Sequence, residues 1–360
     1  MTNKILMPNI QKEDSKVYFA QLKVENVVKL FDAAGFNNII SPEKFIALKL
    51  HFGEPGNTAY LKPEFVEPLA QDLIQKGAFP FLTDTNTLYK GQRTDAYHHI
   101  LTAQKHGYNF CPTIIADGLK GYDFEKIEIQ KKHFKEVFLG RAICQADSLV
   151  ALTHFKGHEV TGFGGAIKNL SMGCASRAGK QQMHADIKPN IKKEKCTACE
   201  VCVAACPVKA LAIKNKVAQA DHNICIGCGQ CVVVCPFNAI SIDWSGSPDS
   251  VQEKMAEYAL GVVQQKKGQV IFINFLNNIS SNCDCYDFND EPIVPDIGIL
   301  ASWDPVAIDQ ASVDLVNQTE GRIKSRNKFR ALWPNTDWSI QLSYAEKIGL
   351  GKRKYALIKI

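Results

Sequence analysis

Apolar runs of strand length alternate with amphipathic stretches of helix length through the first half of the chain. Phe45–Phe52 is rich in aliphatic and aromatic residues and predicts a strand, whereas Pro63–Lys76 spaces its apolar residues like a helix and begins with proline. The same reasoning predicts strands at Phe79–Thr83, Thr113–Ala116 and Leu149–His154, and helices at Thr94–His106 and Lys135–Asp147. Strand–helix alternation at this spacing predicts an α/β fold with a largely parallel sheet.

The alternation stops between Pro189 and Asp243, where the chain is dense in cysteine and rich in turns. It resumes with predicted helices at Asp249–Gln265, Pro305–Val316 and Trp338–Lys347, and predicted strands at Gln269–Phe275, Ile297–Ala301 and Lys354–Ile360. We therefore predict one α/β domain, built from residues 1–188 and 244–360, with a small α+β domain inserted at 189–243. Two separate α/β domains are the alternative, although the last portion alone is small.

Eight of the 13 cysteines form two runs with the spacing C-x2-C-x2-C-x3-C, each followed by proline. Three thiolates on one tight loop can converge on one iron–sulfur cubane, while the fourth reaches the other cubane. The predicted ligands of the first [4Fe–4S] cluster are Cys196, Cys199, Cys202 and Cys235, and those of the second are Cys225, Cys228, Cys231 and Cys206. So many cysteines in a long chain without an apolar leader indicate metal binding in a reducing cytoplasm rather than disulfides.

Residues 189–243 resemble the bacterial-type two-[4Fe–4S] ferredoxins, so the inserted domain is expected to be ferredoxin-like. A structural zinc site is the alternative, because Cys-x2-Cys spacings also bind zinc. Two complete copies, with Pro207 and Pro236 behind them, favour iron–sulfur clusters. The expected cofactors are thus two [4Fe–4S] clusters, which transfer single electrons.

Polar residues follow several of the predicted strands directly. They are His51, Gly53, Glu54, Asp84, Asn86, Asp117, His154, Lys156 and His158. The carboxyl ends of parallel strands line the ligand crevice of an open sheet, so these side chains could converge on one site. Polar loops are common at such positions for other reasons, which is the alternative for each residue taken alone.

A glycine run, Gly162–Gly165, precedes a helix that carries Lys168. Free backbone N–H groups and the positive end of a helix suit an anion, so we predict that Gly162, Gly164 and Gly165 bind an anionic cofactor group. Lys168 and either Arg177 or Lys180 are the expected countercharges, and a tight turn needed for packing is the alternative. His51, His158 and Lys168 are the predicted catalytic residues.

The remaining cysteines differ in their surroundings. One residue separates Cys283 from Cys285, so on a strand their side chains would share a face. This spacing predicts a further metal or redox site, and Asp287 and Asp290 lie nearby in the sequence. A polar loop with two free thiols is the alternative. Cys111 and Cys144 are expected to be structural, and Cys174 either reactive or buried. Asp304 and Pro305 predict the start of a helix.

Across most of its length the chain resembles the domain-of-unknown-function-362 family of iron–sulfur proteins. The strings that carry the resemblance are Lys49–Asn57, Thr83–Gly91, Phe155–Lys180, Cys283–Cys285 and Asp304–Ala311. The resemblance implies an α/β domain interrupted by a ferredoxin module and no agreed reaction. A second, local resemblance is to the nickel-pincer lactate racemase family, in which a histidine ten residues before a lysine serves the cofactor site, as His158 and Lys168 are spaced here.

Three functions fit these features. The first is an oxidoreductase that passes single electrons between the clusters and a ligand at the strand ends; the second is an electron carrier whose α/β domain docks a partner. The third is a non-redox isomerase with structural clusters. Eight thiolates around two cluster cores would bring the formal net charge of +5 close to zero, and no membrane span stands out, so neither nucleic acid nor membrane is expected as a partner. A redox partner protein or an anionic small molecule is expected in the cytoplasm.

Overall fold

The computed structural model describes residues 14–184, 190–225, 229–241 and 247–360. The strands are β1 (Ser15–Ala20), β2 (Phe45–Lys49), β3 (Phe79–Asp84), β4 (Thr113–Ile115), β5 (Phe124–Glu128), β6 (Glu136–Gly140), β7 (Ser148–His154), β8 (Lys156–His158), β9 (Gly162–Gly164), β10 (Asn190–Ile191), β11 (Leu211–Lys214), β12 (Val217–Ala220), β13 (Ile240–Ser241), β14 (Val270–Leu276), β15 (Gly298–Ser302) and β16 (Tyr355–Lys359).

Helices fill most of the connections between these strands. They are α1 (Glu25–Ala33), α2 (Pro63–Gln75), α3 (Ala96–Lys105), α4 (Arg141–Gln145), α5 (Ala166–Cys174), α6 (Arg177–His184), α7 (Val201–Ala204), α8 (Gln230–Val234), α9 (Pro248–Gln265), α10 (Pro305–Gln318), α11 (Lys328–Leu332) and α12 (Ser339–Lys347). None of the helices in the described part of the chain has the length and apolar composition that crossing a bilayer requires.

One large sheet organises the α/β part, with the strand order β16-β1-β15-β14-β7-β2-β3-β4. Neighbouring strands are parallel except on both sides of β15, which runs antiparallel to β1 and β14. The central strands β7 and β14 are buried along their whole length, as expected for strands covered on both faces. The predicted α/β fold with a largely parallel sheet is therefore confirmed.

Two apolar layers cover the faces of this sheet. On one face, Leu48, Val150 and Ile273 pack under α1, α2 and α3. On the other face, Leu149 and Phe272 pack under α5, α9, α10 and α12. Successive strand residues point to opposite faces, so runs such as the one in β7 must be apolar throughout to fill both layers.

The described residues 190–225 and 229–241, here called the cysteine segment, contain four short strands. Within these residues the strands pair antiparallel with one another, β10 with β13 and β11 with β12. Cys202, Cys231 and Cys235 belong to the small apolar cluster of this segment. Both predicted domain boundaries, and the predicted ligand Cys228, lie outside the described residues.

The predicted helix at Lys135–Asp147 is wrong over its first half. Glu136–Gly140 is a strand that pairs antiparallel with β5, and only Arg141–Gln145 is helical. Val137 and Leu139 are fully buried, so β-branched and apolar residues at a spacing of two, rather than helical periodicity, decide the structure here. Strand β1 and helix α1 were not predicted.

Candidate functional site

A cavity of about 470 Å³ opens at the carboxyl ends of β2, β3 and β7. His51 follows β2, Asp84 ends β3 and His154 ends β7, and all three line the cavity. Further walls come from β8, from α5 and from the turn at residues 281–286. The position is the one in which open parallel sheets bind ligands.

The structure brings the predicted catalytic residues together, because His51, His158 and Lys168 all line this cavity. The other strand-end candidates divide into two groups. Asp84, His154 and Lys156 line the cavity; Gly53, Glu54, Asn86 and Asp117 do not. Asp117 instead accepts hydrogen bonds from the backbone and side chain of Asn86, so both hold the loop behind the cavity wall.

Two of the histidines that line the cavity, His51 and His158, have pKa values lowered well below the usual range, which favours their neutral form. Burial, followed by the charge of Arg93, lowers the pKa of His51, and burial, followed by the charge of Lys168, lowers the pKa of His158. The Nδ1 atom of His51 accepts from Gly53 N–H at 3.1 Å, and that of His158 accepts from Val160 N–H at 3.2 Å. A neutral ring whose Nδ1 accepts carries its proton on Nε2, so each ring offers one N–H donor.

A buried ion-pair network supports the cavity wall beside His51. Lys49 Nζ lies 3.0 Å from Asp84 Oδ1, and Arg93 lies 2.9 Å from Glu54 Oε1 and 3.5 Å from Asp84 Oδ2. Burial alone would raise the pKa of Asp84, but Lys49, His99 and Arg93 lower it below its usual range. Tyr89 completes the network by donating to Glu54 at 3.1 Å. Sequence reasoning missed Arg93, because its partners come from other strands and nothing near it in sequence marks it.

The segment Cys283–Cys285 is a turn, not the strand assumed in the sequence analysis. Both sulfur atoms nevertheless face the cavity and hydrogen-bond to each other. Lys168 Nζ donates to Cys283 Sγ at 3.6 Å. The hydrogen bond from Cys285, against the cost of burial and with the charge of Lys168, lowers the pKa of Cys283 to about 5.

Among the described residues, no three His, Cys, Asp or Glu side chains form a group that could hold a metal ion, either at these two thiols or in residues 190–225 and 229–241. Asp290 accepts from Asn282 instead of facing the sulfur atoms. Cys174 is fully buried, and burial raises its pKa to about 12. It is therefore a core residue, as Cys144 is.

The glycine run does not leave its helix N-terminus free for a ligand. Asp309 Oδ1 accepts from Ala166 N–H at 2.7 Å, and its Oδ2 accepts from Ile167 N–H at 2.9 Å. Gly164 and Gly165 line the cavity, and a Cβ on Gly165 would lie 2.3 Å from Asp309. Gly162 has a φ of 74° and packs against Trp338 outside the cavity. The Asp309 carboxylate thus occupies the N-terminus of α5, where a bound anion was expected. From the sequence, Asp309 could be predicted only as a residue of the helix that begins at Pro305.

Comparison with known proteins identifies the family. The sequence profile of the family described as Domain of unknown function (DUF362) matches residues 46–314, which is well over half of the chain. The chain belongs to the DUF362 family.

Two solved structures resemble this DUF362 protein at low identity. The lactate racemase apoprotein from Thermoanaerobacterium thermosaccharolyticum is 13% identical with a TM-score of 0.38, and the match covers 72% of this chain and 50% of that one. A crystal structure from Thermotoga maritima, a structural genomics target, is 9% identical with a TM-score of 0.42, covering 81% and 57%. The DUF362 chain therefore spans only about half of the length of these structures. None of the curated proteins matches it.

The cysteine segment of this DUF362 protein encloses two small hollows. The first is lined by Cys196, Cys199, Cys202 and Cys235, the predicted quartet, and the second by Cys206, Cys225 and Cys231. Backbone N–H groups point at several of the sulfur atoms: Ala218 donates to Cys196 at 3.4 Å, Ala210 to Cys206 at 3.2 Å and Ala239 to Cys235 at 3.2 Å. Such N–H groups favour thiolates, which are the form that binds a cluster.

The loop after β3 touches both the cavity and the cysteine segment. Leu88 lines the cavity and packs against Val232, next to Cys231 in the chain. Lys90 Nζ donates to the carbonyl oxygen of Cys235 at 2.8 Å. From the other side, Arg177 donates to Gln230 at 2.8 Å, so it joins the two units and does not line the cavity as a countercharge.

Proposed function

We propose that this DUF362 protein is an iron–sulfur oxidoreductase that passes single electrons between two [4Fe–4S] clusters and an anionic small molecule in the cavity. The observation that carries the proposal is the shared wall. Leu88 packs against Val232, the neighbour of Cys231, and Lys90 donates to the carbonyl oxygen of Cys235, so residues 88–90 lie next to a cysteine of each quartet. Leu88 and Tyr89 also line the cavity. The cavity therefore lies close to both proposed clusters, and an electron that leaves either one could pass into it.

The donor sets suit iron–sulfur clusters. One hollow is lined by four cysteines drawn from both sequence runs, and the other by three, with Cys228 outside the described residues. Exchange of the fourth cysteine between runs is typical of two-cluster ferredoxins. When bound, the clusters would supply one-electron transfer, and the chain supplies the thiolates and the N–H groups that stabilise them.

The cavity suits a negatively charged ligand. Five Lys or Arg residues line it against two Asp or Glu residues. Lys49, Arg93 and Lys156 are paired with carboxylates. Lys180 Nζ instead donates to Thr85 Oγ1 and to Ala175 O at 2.9 Å, which are neutral oxygens. Burial lowers the pKa of Lys180 to about 8, so a bound anion would stabilise its ammonium form.

The two neutral histidines suit a reaction in which protons accompany electrons. His51 and His158 each hold an Nε2–H donor in the cavity wall, as their Nδ1 atoms accept backbone N–H groups. A donor of this kind can hold an oxygen of the ligand or give it a proton after reduction. Burial, and after it the charges of Arg93 and Lys168, lowers the pKa of these rings and so favours the neutral form that donates from Nε2.

The protein is first purified without oxygen, and iron and sulfide analysis measures its cluster content. Mass spectrometry of small molecules that co-purify identifies the ligand used in the test. Reduced protein is mixed with that ligand, and the recovery of the visible cluster absorbance is followed in wild type and in His158→Gln. We expect much slower reoxidation in His158→Gln with clusters intact. The exposed His98→Gln variant is the matched control.

Equal reoxidation rates in wild type and His158→Gln would favour the electron-carrier function, in which the cavity plays no part. Turnover of the ligand at the same rate by oxidised and reduced protein would favour the isomerase function. Either result contradicts the proposed oxidoreductase.

A further inference from the structure

We propose that Cys283 and Cys285 form a redox-active dithiol that cycles to an intramolecular disulfide inside the cavity. The dithiol would collect two electrons, delivered singly by the clusters, and pass them on as a pair. The supply of electrons rests on the proposed function, whereas the dithiol itself rests on the geometry of residues 281–286.

The geometry places both sulfur atoms together and open to the same space. Cys283 and Cys285 line the cavity and hydrogen-bond to each other, with Cys285 donating. Lys168 Nζ lies 3.6 Å from Cys283 Sγ, which favours the thiolate there. A thiolate with a neighbouring thiol and a nearby cation is the usual arrangement of a nucleophilic and a resolving cysteine.

The residue between the cysteines fixes the turn. The Asp284 side chain is fully buried, and it contacts His154 Nδ1 at 2.9 Å and Lys156 Nζ at 3.0 Å. Its carbonyl oxygen accepts from Glu54 N–H at 3.1 Å. These contacts hold Asp284 in place and therefore restrain the two cysteines that flank it.

Other interpretations of the pair fit less well. The ammonium group of Lys168 lies where a metal ion would be repelled. Cys174 and Cys144 show what core cysteines look like in this chain: both lie in the large apolar cluster, and burial raises the pKa of each to about 12. Cys283 and Cys285 lie outside that cluster and line the cavity. The pKa of Cys283 is lowered, whereas that of Cys285 is raised, first by its hydrogen bond to Cys283 and then by burial.

The chemical step balances with a disulfide as the oxidant. The Cys283 thiolate attacks one sulfur of the oxidant, releases its other half as a thiolate and forms a mixed disulfide. Cys285 then loses its proton and attacks Cys283 Sγ, which releases the second thiolate and closes the Cys283–Cys285 bond. Two electrons and one proton restore the Cys283 thiolate and the Cys285 thiol. A bridge across one intervening residue is strained, and strained disulfides are easily reduced.

Tyr89 links this turn to the cysteine segment. Tyr89 lines the cavity, as Cys283 and Cys285 do, and the next residue, Lys90, donates to the carbonyl oxygen of Cys235 at 2.8 Å.

The test equilibrates anaerobic holoprotein with mixtures of reduced and oxidised glutathione and then labels free thiols with an alkylating mass tag. We expect the peptide that contains Cys283 and Cys285 to lose both tags together, with the mass of one internal disulfide, and to regain both in reducing mixtures. Cys285→Ser should trap glutathione on Cys283, and Cys283→Ser should trap little. Cys111→Ser, outside the cavity, is the control and should behave like wild type.

Two tags retained by wild type at every glutathione ratio, or adducts trapped equally by both serine variants, would overturn the dithiol. A second experiment separates the dithiol from the proposed function. Protein with the Cys283–Cys285 disulfide is treated with methyl viologen radical, and the rate of disulfide reduction is compared between the holoprotein and the Cys199→Ser/Cys231→Ser variant, which lacks one predicted ligand of each cluster. Faster reduction in the holoprotein supports both claims. A bridge that forms with glutathione but is reduced at equal rates upholds the dithiol and contradicts the electron supply.

Discussion

The α/β part and the cysteine segment are held together by different forces. The α/β part buries two continuous apolar layers, one on each face of its sheet, with residues such as Leu48, Val150 and Phe272 at no more than 1% exposure. Among its described residues, the cysteine segment has a cluster of seven buried residues, of which Cys202, Cys231 and Cys235 are predicted cluster ligands. The α/β part can fold by burying apolar surface, whereas under the proposed function the clusters would stabilise the small core of the cysteine segment.

The comparison also extends to charge. Around the cavity, the α/β part buries charged side chains in pairs, such as Lys49 with Asp84 and Arg93 with Glu54. In the cysteine segment, Cys202, Cys231 and Cys235 are buried. Under the proposed function, iron would balance the charge of their thiolate forms, whereas the α/β part balances its buried charges with its own side chains.

The largest expected effect is loss of the cysteine segment when iron is removed. Chelation of the clusters should leave residues 190–241 open to proteases, because the thiolates then repel each other and the apolar cluster is too small. The α/β part should stay protected, and mass spectrometry of a limited digest distinguishes the two. An iron-free protein that resists cleavage throughout would contradict the comparison.

The next largest effect is expected at Arg93. Arg93→Met leaves Glu54 and Asp84 buried without their shared cation, which should lower the free energy of unfolding by about 3–5 kcal/mol. Thermal or urea denaturation measures the loss. Arg141→Met is the control, since Arg141 pairs with Asp123 in exposed surroundings and should change stability little. Equal losses in both variants would refute the role assigned to the buried pairs.

The parts of the protein that could be predicted are those with a local signal. The strands of the parallel sheet were visible because apolar runs lie within short stretches, and the cysteine quartets stay a prediction from spacing. The pairing of Arg93 with Glu54 and the contacts of the Asp309 carboxylate were not visible, because these partners are distant in sequence. Glu136–Gly140 was misread because its pairing with β5 outweighed an ambiguous local pattern.

A smaller loss of stability is expected at Asp309, which links helices α5 and α10 across one layer of the α/β part. Asp309→Ala leaves the N–H groups of Ala166 and Ile167 buried without acceptors and should cost about 2–3 kcal/mol. Asp309→Asn keeps one acceptor oxygen and should cost less. Chemical denaturation of the two variants gives the order, and a reversed order would show that the caps do not hold α5.

The smallest expected effect is on the rate of thiol labelling. The pKa of Cys283 is about 5, below the usual thiol range, so its thiolate persists as pH falls and is lost only below about pH 5. Alkylation of Cys283 should therefore stay nearly constant between about pH 8 and pH 6, whereas Cys111, with a pKa raised by burial to about 11, should slow about tenfold per pH unit.

Lys168→Met removes the ammonium next to Cys283 and should raise the pKa of that thiol. Timed alkylation at about pH 6, followed by peptide mass spectrometry, should then show labelling of Cys283 slowed severalfold. An unchanged rate in Lys168→Met would mean that the ammonium does not stabilise the thiolate.

Electron paramagnetic resonance of anaerobically prepared, dithionite-reduced protein tests the central claim most directly. The account predicts about eight iron and eight sulfide per chain and the spectrum of two interacting reduced [4Fe–4S] clusters. A colourless protein that contains zinc and gives no such spectrum would contradict it.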